Sequence, residues 1–505
     1  MTKLLKTINS KVDPSVFWWA NLIIYVLVLT SVFFGANLAS TLEVLKSKFI
    51  TTFGWSYVVL SLSLMGTLLY IVFKFGRLRI GGQGTKPDFS RLSWLSMLFS
   101  AGLGTGLIYS GVFEPLAHFY NAPQLSQFTG QTKFIEGMDI TFFHWGFPAW
   151  MMYSSTGLMF AILSFNLNKA FQFSHFVPDR FTKTKVLVNV VAILSILVGV
   201  ITTFVISSSQ MSSGLVRILP GGIGQFITPV STIALVTVLA TFSVLSGLKR
   251  GIRILSEINI LIALSLFLFV LFNIDFIFYF SVMVKTLGLH VTSLPSHLFY
   301  RSFINDNVWL SNWTLLYWAW WTAWLPFVGL FIARISKGRT IREYVLGTVV
   351  VPSLVSFLWF GLFGSAGYLK NIKFGLGLEH MLDTNVKNML FAVLETMPFS
   401  EIATAIAVVC VLIFYVTSSD SGSYVVDMIS SGKAENHNTY LKVYWSVLEG
   451  ALAIVLLKFG GVSVIKSLVI LISLPVLLYV AYGMFRLISI LSALSKEEKL
   501  ENLKN

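Results

Sequence analysis

The chain has 505 residues, 55% of them hydrophobic and only 11% charged, with a formal charge of +14 and a mean hydropathy of +0.79. A water-facing surface needs far more charge, so a soluble globular protein is excluded and the solvent is lipid. A single cysteine, Cys410, excludes an internal disulfide framework and a Cys-based metal site, and the basic residues sit in short loops between apolar runs, which reads as membrane topology rather than nucleic-acid binding.

A polar, basic stretch from Met1 to Pro14 precedes the first apolar run without a cleavage-like site, so the first helix is expected to stay as an anchor. Apolar runs follow at 16–36, 52–74, 92–113, 139–165, 186–213, 226–247, 258–284, 313–335, 345–368, 400–418, 441–460 and 463–487. Each is long enough to cross roughly 30 Å of hydrocarbon. With both termini cytoplasmic, the inner segments hold 25 of the 36 Lys and Arg and the outer ones 11. Between the seventh and eighth runs, Leu287 to Asn305 carries Pro295, His290, His297 and Arg301 among apolar residues, the pattern of an amphipathic helix along the outer interface.

The predicted fold class is an all-α integral membrane protein of about twelve transmembrane helices, two inverted five-helix repeats preceded by two extra helices. Residues 1–90 form the cytoplasmic N-terminus and two peripheral helices, 91–285 the first repeat, 286–310 the interfacial helix, 311–490 the second repeat and 491–505 a short cytoplasmic tail. The repeats are inferred from paired oddities. The third run reads Ser100-Ala101-Gly102-Leu103-Gly104-Thr105-Gly106, and about 215 residues on, the eighth holds Trp313, Trp318, Trp320, Trp321 and Trp324 before Pro326. Two runs after each lies a hydroxyl cluster: Thr202-Thr203 with Ser207-Ser208-Ser209-Gln210, and Thr417-Ser418-Ser419-Asp420-Ser421.

These motifs carry chemistry. Trp318, Trp321 and Trp324 fall at i, i+3, i+6 and present indole faces, which suit a cation that cannot hydrogen-bond, such as trimethylammonium. Trp145, Trp150 and Tyr153 in the fourth run could close a box, although alone they read as packing. Acids such as Glu114, Asp139, Glu257, Glu395 and Asp420 lie in loops or at run ends, so the pocket is expected to carry no fixed charge. A box without an acid suits a zwitterion whose carboxylate is taken by backbone N–H groups where Gly102, Gly104 and Gly106 unwind the helix; close helix packing is the competing reading of those glycines. Hydroxyls together with freed carbonyls suit sodium, against ordinary hydrogen bonding between helices. His144, solitary beside Trp145, reads as a packing or water-bonded histidine. No phosphate loop, His-rich metal spacing or nucleophile–base pair stands out, which weakens any enzyme. A channel would want a continuous polar lining and a sensor a signalling domain, and neither is visible.

At these residues the sequence resembles the betaine/carnitine/choline transporter family through nearly its whole length after the first run. The resemblance rests on Ala101 to Gly106, Glu114-Pro115, Trp313 to Arg334 with Gly338-Arg339-Thr340-Ile341-Arg342-Glu343 after it, and Thr417 to Ser421. It implies alternating access between two inverted repeats and a homotrimer. It further implies a prism of Trp145, Trp150, Tyr153 and Trp321 around the trimethylammonium group, with Trp318 and Trp324 along the pathway and Tyr109 as a lid. One sodium site would resemble Thr202 or Thr203 with Phe327, and the other Phe414, Thr417, Ser418 and the backbone near Ser100 and Leu103. Gly106 stands where the family's choline carriers tend to place an acid, and Phe327, Val328 and Thr417-Ser418 keep the sodium-type pattern. The expectation is an importer of zwitterionic or cationic quaternary ammonium osmolytes in the cell membrane, coupled to sodium and without other cofactor or nucleic-acid partner. The alternative is a sodium-independent carnitine-type exchanger, which Tyr109 favours. The tail after Leu487 is short and mixed in charge, unlike the long basic tail of osmosensing members.

Overall fold

The computed structural model describes residues 11–102, 104–170, 172–219, 221–224, 226–246, 253–299, 308–432 and 439–504. The principal helices are α1 (Pro14–Phe75), α2 (Arg91–Gly102), α3 (Gly104–Asn121), α4 (Gly130–Trp145), α5 (Phe147–Phe165), α6 (Thr182–Ile218), α7 (Pro229–Ser246), α8 (Arg253–Phe272), α9 (Phe276–Phe299), α10 (Leu316–Ile335), α11 (Val351–Phe374), α12 (Ser400–Ser431), α13 (Thr439–Val455) and α14 (Gly461–Lys504). Among the described residues no strand forms beyond one isolated bridge between Arg79 and Thr340. Among the described residues eight helices are long and apolar enough to cross a membrane, or up to nine if the bent pair α2–α3 counts as one span.

Helix α1 is 62 residues long, roughly 90 Å at 1.5 Å per residue, and is therefore two fused spans. Its non-helical residue is Phe34, where the first predicted run ends, and the following Gly35 has Phe459 backbone where a Cβ would stand. Phe73, Phe272 and Ile277 are 82%, 82% and 78% exposed, so the outer faces of α1, α8 and α9 are apolar surface that only lipid would cover.

Two predicted runs, the fourth and the eighth, differ from the structure, while the third agrees with it. The third breaks into α2 and α3, bent by 63°, with Gly104 at φ +33°, as the glycine spacing predicted. The fourth breaks as well: Gly146, at φ −96° and ψ −141°, separates α4 from α5, and Pro148 lacks an N–H to continue the ladder. The eighth stays helical through its tryptophans, with a π-helical turn over Ser311–Leu315 and Pro326 inside, so it does not share the break of the third. The region after the seventh run is also divided differently. Asn273 to Asp275 ends α8, Asp275 accepts from the Phe278 amide at 3.0 Å, and α9 begins there, upstream of the expected boundary at 286. Residues 300–307, the end of the expected amphipathic helix, lie outside the described residues.

Helix α9 is tied to α4 through Asp139, which is fully buried rather than placed at a loop. It accepts from His290 Nδ1, His297 Nε2 and Ser293 Oγ, each at 2.7 Å. At the other end of the bundle the Gly338 to Glu343 motif pairs with the α1–α2 connection: Ile80 donates to the Arg339 carbonyl and Gly338 to the Ile80 carbonyl, both at 2.9 Å. Buried Arg339 lies 4.0 Å over the Trp94 ring and bonds Glu343 at 2.6 Å.

The centre of the bundle is α10, nearly all of whose residues are buried, packed on α5, α6 and α14. Close approach of α5 and α10 needs Gly157 and Gly329, the small-residue device of membrane helices. A Cβ on Gly329 would stand 2.4 Å from Thr156 Cγ2, whereas one on Gly66 meets nothing within 4 Å. Gly329→Val should therefore cost about 1–3 kcal/mol or more through overpacking. Thermal unfolding in detergent should show a clear fall for that variant and an unchanged midpoint for Gly66→Ala.

Candidate functional site

The two helix breaks face each other around an aromatic cluster. Trp145 is the last residue of α4, Trp150 and Tyr153 lie on the first turns of α5, and Trp321 projects from α10. Their rings form a chain of edge-to-face contacts: Trp145 to Trp321 at 5.0 Å, Trp321 to Tyr153 at 6.0 Å and Tyr153 to Trp150 at 5.7 Å. Trp321 Nε1 donates to the His144 carbonyl at 3.0 Å, which uses an acceptor beside the α4 break. Trp150 Nε1 and the Tyr153 hydroxyl are buried with no hydrogen-bond partner among the described residues.

The glycines of the α2–α3 break exist for these rings. A Cβ on Gly102 would stand 2.7 Å from Trp150 Cη2, and one on Gly106 2.7 Å from Trp145 Cη2. At Gly104 the nearest atoms would be Ser418 Oγ at 3.1 Å and Phe414 Cβ at 3.6 Å. Thus Gly102 and Gly106 seat the two indoles, while Gly104 seats helix α12. Unwinding and close packing, read from the sequence as alternatives, are both true of the same three residues.

Two cavities meet here. A small one of about 20 Å³, large enough for one water, is bounded by the three glycines, Thr105, Trp145, Trp320, Trp321, Trp324, Thr203 and Ser418. A larger one of about 440 Å³ opens toward the end of the bundle where α3 stops, and Tyr109, Phe113, Thr202, Trp313, Tyr317, Asp383 and Lys466 are among its walls. Gly106 and Trp320 line both, so Trp320 partitions vestibule from box. The spacing argument chose Trp318 instead. That ring is buried against Phe143 at 5.2 Å and lines neither cavity, because the site face of α10 runs through Tyr317, Trp320, Trp321 and Trp324. Tyr109, the expected lid, lines the vestibule with its ring 5.9 Å from Phe113.

The hydroxyl clusters converge on the same break. Thr203 shares the small cavity with Ser418, while Thr202 faces the vestibule and bonds the Val198 carbonyl at 2.8 Å. Thr203 therefore faces the box and Thr202 the vestibule. Phe327 packs on Trp324 at 5.3 Å. Thr417 Oγ1 donates within its own helix to Ile413 or Phe414 carbonyls, at 2.9 and 3.1 Å, leaving its lone pairs free. Ser100 Oγ is buried without a partner. Leu103 lies outside the described residues. Helix α12 runs unbroken through Thr417 to Ser421, so it frees no backbone carbonyl there.

Sequence reading missed the residues behind the box. Glu114, expected at a run end, is fully buried on α3 and accepts from Trp145 Nε1 at 2.6 Å and from the Tyr317 hydroxyl. His144, expected to be solitary, meets Glu114 Oε1 through Nδ1 at 3.1 Å and Thr314 Oγ1 through Nε2 at 3.1 Å. The box has no acid in its lining, yet one stands directly behind its wall. Trp320 was visible in the tryptophan run but lay off the chosen stripe.

The family model for betaine/carnitine/choline family transporters matches residues 15–499. The chain belongs to that family. It is 32% identical to a glycine betaine transporter of Bacillus subtilis over 96% of this chain and 95% of that one. It is 33% identical to a high-affinity choline transport protein of Escherichia coli K12, covering 95% and 72% of the two chains, and 35% identical to an uncharacterized transporter of Mycobacterium tuberculosis, covering 90% and 78%. The protein is thus a multi-pass membrane transporter and not an enzyme.

The transporter's two seated indoles make a direct prediction. Gly106→Ala would push the Trp145 ring by several tenths of an ångström or more, and Gly102→Ala would do the same to Trp150. A misplaced ring weakens a contact worth about 1–2 kcal/mol, so substrate affinity should fall roughly five- to thirtyfold in each variant. Ligand-induced tryptophan fluorescence change in detergent, with unaltered gel-filtration behaviour, checks it.

Proposed function

We propose that the transporter imports betaine-type quaternary ammonium osmolytes by sodium symport, with Trp145, Trp150, Tyr153 and Trp321 enclosing the trimethylammonium group. The observation that carries this reading is the four-ring chain seated on the α2–α3 break, with Thr203 and Ser418 on the same small cavity. Indole and phenol faces attract a cation that has no N–H to donate. The relative named as a glycine betaine transporter supports the substrate class, and Gly106 in the break favours a zwitterion over choline. The N–H groups of Trp150 and Tyr153's hydroxyl, buried and unpartnered, add side-chain donors for a substrate carboxylate to the backbone donors expected from the break.

Sodium coupling is supported by oxygens that no other group claims: Ser100 Oγ, the Thr417 lone pairs, and Thr203 and Ser418 on the cavity. Hard cations take such ligands without a fixed charge. We further infer two inverted five-helix repeats, cytoplasmic termini and a homotrimer, in keeping with the family.

Loss of a desolvated cation–π contact of about 2 kcal/mol predicts that Trp321→Leu binds betaine roughly thirtyfold more weakly. Coupling is tested in proteoliposomes. A zwitterion gives the membrane potential no charge to act on, so electrogenic uptake comes only from co-transported ions, at about 2.3 kcal/mol per charge per 100 mV. An inward sodium gradient should drive betaine accumulation, and Thr417→Ala with Ser418→Ala should raise the sodium needed for half-maximal uptake more than it lowers betaine affinity. Equal accumulation without sodium at clamped potential would replace symport by substrate exchange.

A further inference from the structure

We propose that the Glu114 carboxylate is the counter-charge of the aromatic box: it polarises the Trp145 indole and sets how strongly the box prefers a plain cation to a zwitterion. This rests on the reading of the ring cluster as the substrate site.

Glu114 is wholly buried, and both its oxygens accept twice. Oε1 takes His144 Nδ1 at 3.1 Å and His118 Nε2 at 3.4 Å; Oε2 takes Trp145 Nε1 at 2.6 Å and the Tyr317 hydroxyl. A carboxyl used in this way has no position left for a proton and is the acceptor-only anion. The same three side chains could be read as a metal-ligand set, but each imidazole already points an N–H at Oε1.

The imidazoles meet Oε1 and leave Oε2 to Trp145 and Tyr317. His118 must present its Nε2–H, and its Nδ1 is buried with no partner. His144 Nε2 faces the Thr314 hydroxyl, which can donate to a neutral ring. Among the described residues the basic partners of Glu114 are these two histidines alone. The carboxylate therefore stands directly behind Trp145, bonded to its indole N–H.

Its effect reaches the substrate by two routes. An indole that donates its N–H to an anion gains electron density in the ring, and a cation over the ring face is attracted by that density. The carboxylate's own field also crosses a low-dielectric interior with little screening. For a plain quaternary cation both routes are attractive. For a zwitterion the attraction at the ammonium end is opposed by repulsion of its carboxylate, so Glu114 contributes less to betaine than to a cation. The 2.6 Å bond additionally fixes the Trp145 ring against Trp321, a positioning role that would act on both ligands alike.

The ratio of two affinities separates these roles. Binding of tetramethylammonium and of glycine betaine is measured by tryptophan fluorescence on the purified full-length protein, wild type and Glu114→Gln. The expected result is a loss of at least tenfold for tetramethylammonium and no more than about threefold for betaine. Equal losses for both ligands, or none, overturn the proposal. Should Glu114→Gln not fold, His118→Lys places a permanent cation beside the intact carboxylate and should move the ratio in the same direction; a fixed ratio there overturns it too. Wild-type protein that binds neither ligand overturns the substrate reading and this proposal with it, whereas binding with an unmoved ratio overturns this proposal alone.

Discussion

A backbone in hydrocarbon has no water to satisfy its N–H and C=O groups, so a membrane helix can break only where protein lines the gap. The α2–α3 break obeys that constraint, and the site follows from it. Gly102, Gly104 and Gly106 have no side chain on the side where Trp150, helix α12 and Trp145 approach. The α4–α5 break at Gly146 lies against the same region and turns Trp145 toward Trp321. Two interruptions of regular structure are thus filled by aromatic rings, and the rings become the box.

Rings placed in this way need to be held. Trp145 is fixed through its N–H to Glu114, and Trp321 through its N–H to the His144 carbonyl, so both main walls of the box are anchored to the end of α4 and the middle of α3. Trp150 and Tyr153 are not anchored; among the described residues the indole N–H and the phenol hydroxyl have no partner. The box therefore combines two fixed walls with two that are free to respond to a ligand. Trp320, shared between the 20 Å³ space and the 440 Å³ vestibule, stands where a ligand must pass from one to the other. In this conformation the walls touch.

Much of this was legible in the residues. Helical class, membrane solvent and the break at the alternating glycines follow from composition and spacing, because lipid imposes the same requirement on every residue of a span. The prism of Trp145, Trp150, Tyr153 and Trp321 was named from the resemblance to a family, and the structure brings those four rings together. Trp318 lines neither cavity, because an i, i+3, i+6 stripe drifts around a helix, whereas the face that meets the α2–α3 break includes i+4 and i+7 neighbours. Gly146 was passed over within a long apolar run, since one glycine there looks the same whether it packs or breaks.

What the sequence determined by itself is the set of properties that act along the chain: apolar length, glycine spacing, the distribution of positive charge and the crowding of tryptophans. Partnership across the bundle was decided only by tertiary structure. Glu114 and His144 are 30 positions apart and Tyr317 is 203 from Glu114, and no period or motif announces that they share one carboxylate. Thr202 and Thr203 are adjacent, and only the rotation of α6 against α10 and α12 sends one to the vestibule and the other to the box. The physical reason is the same in each case. Lipid fixes what a residue must be in order to lie in a span, but the direction a side chain faces is set by the helices packed around it.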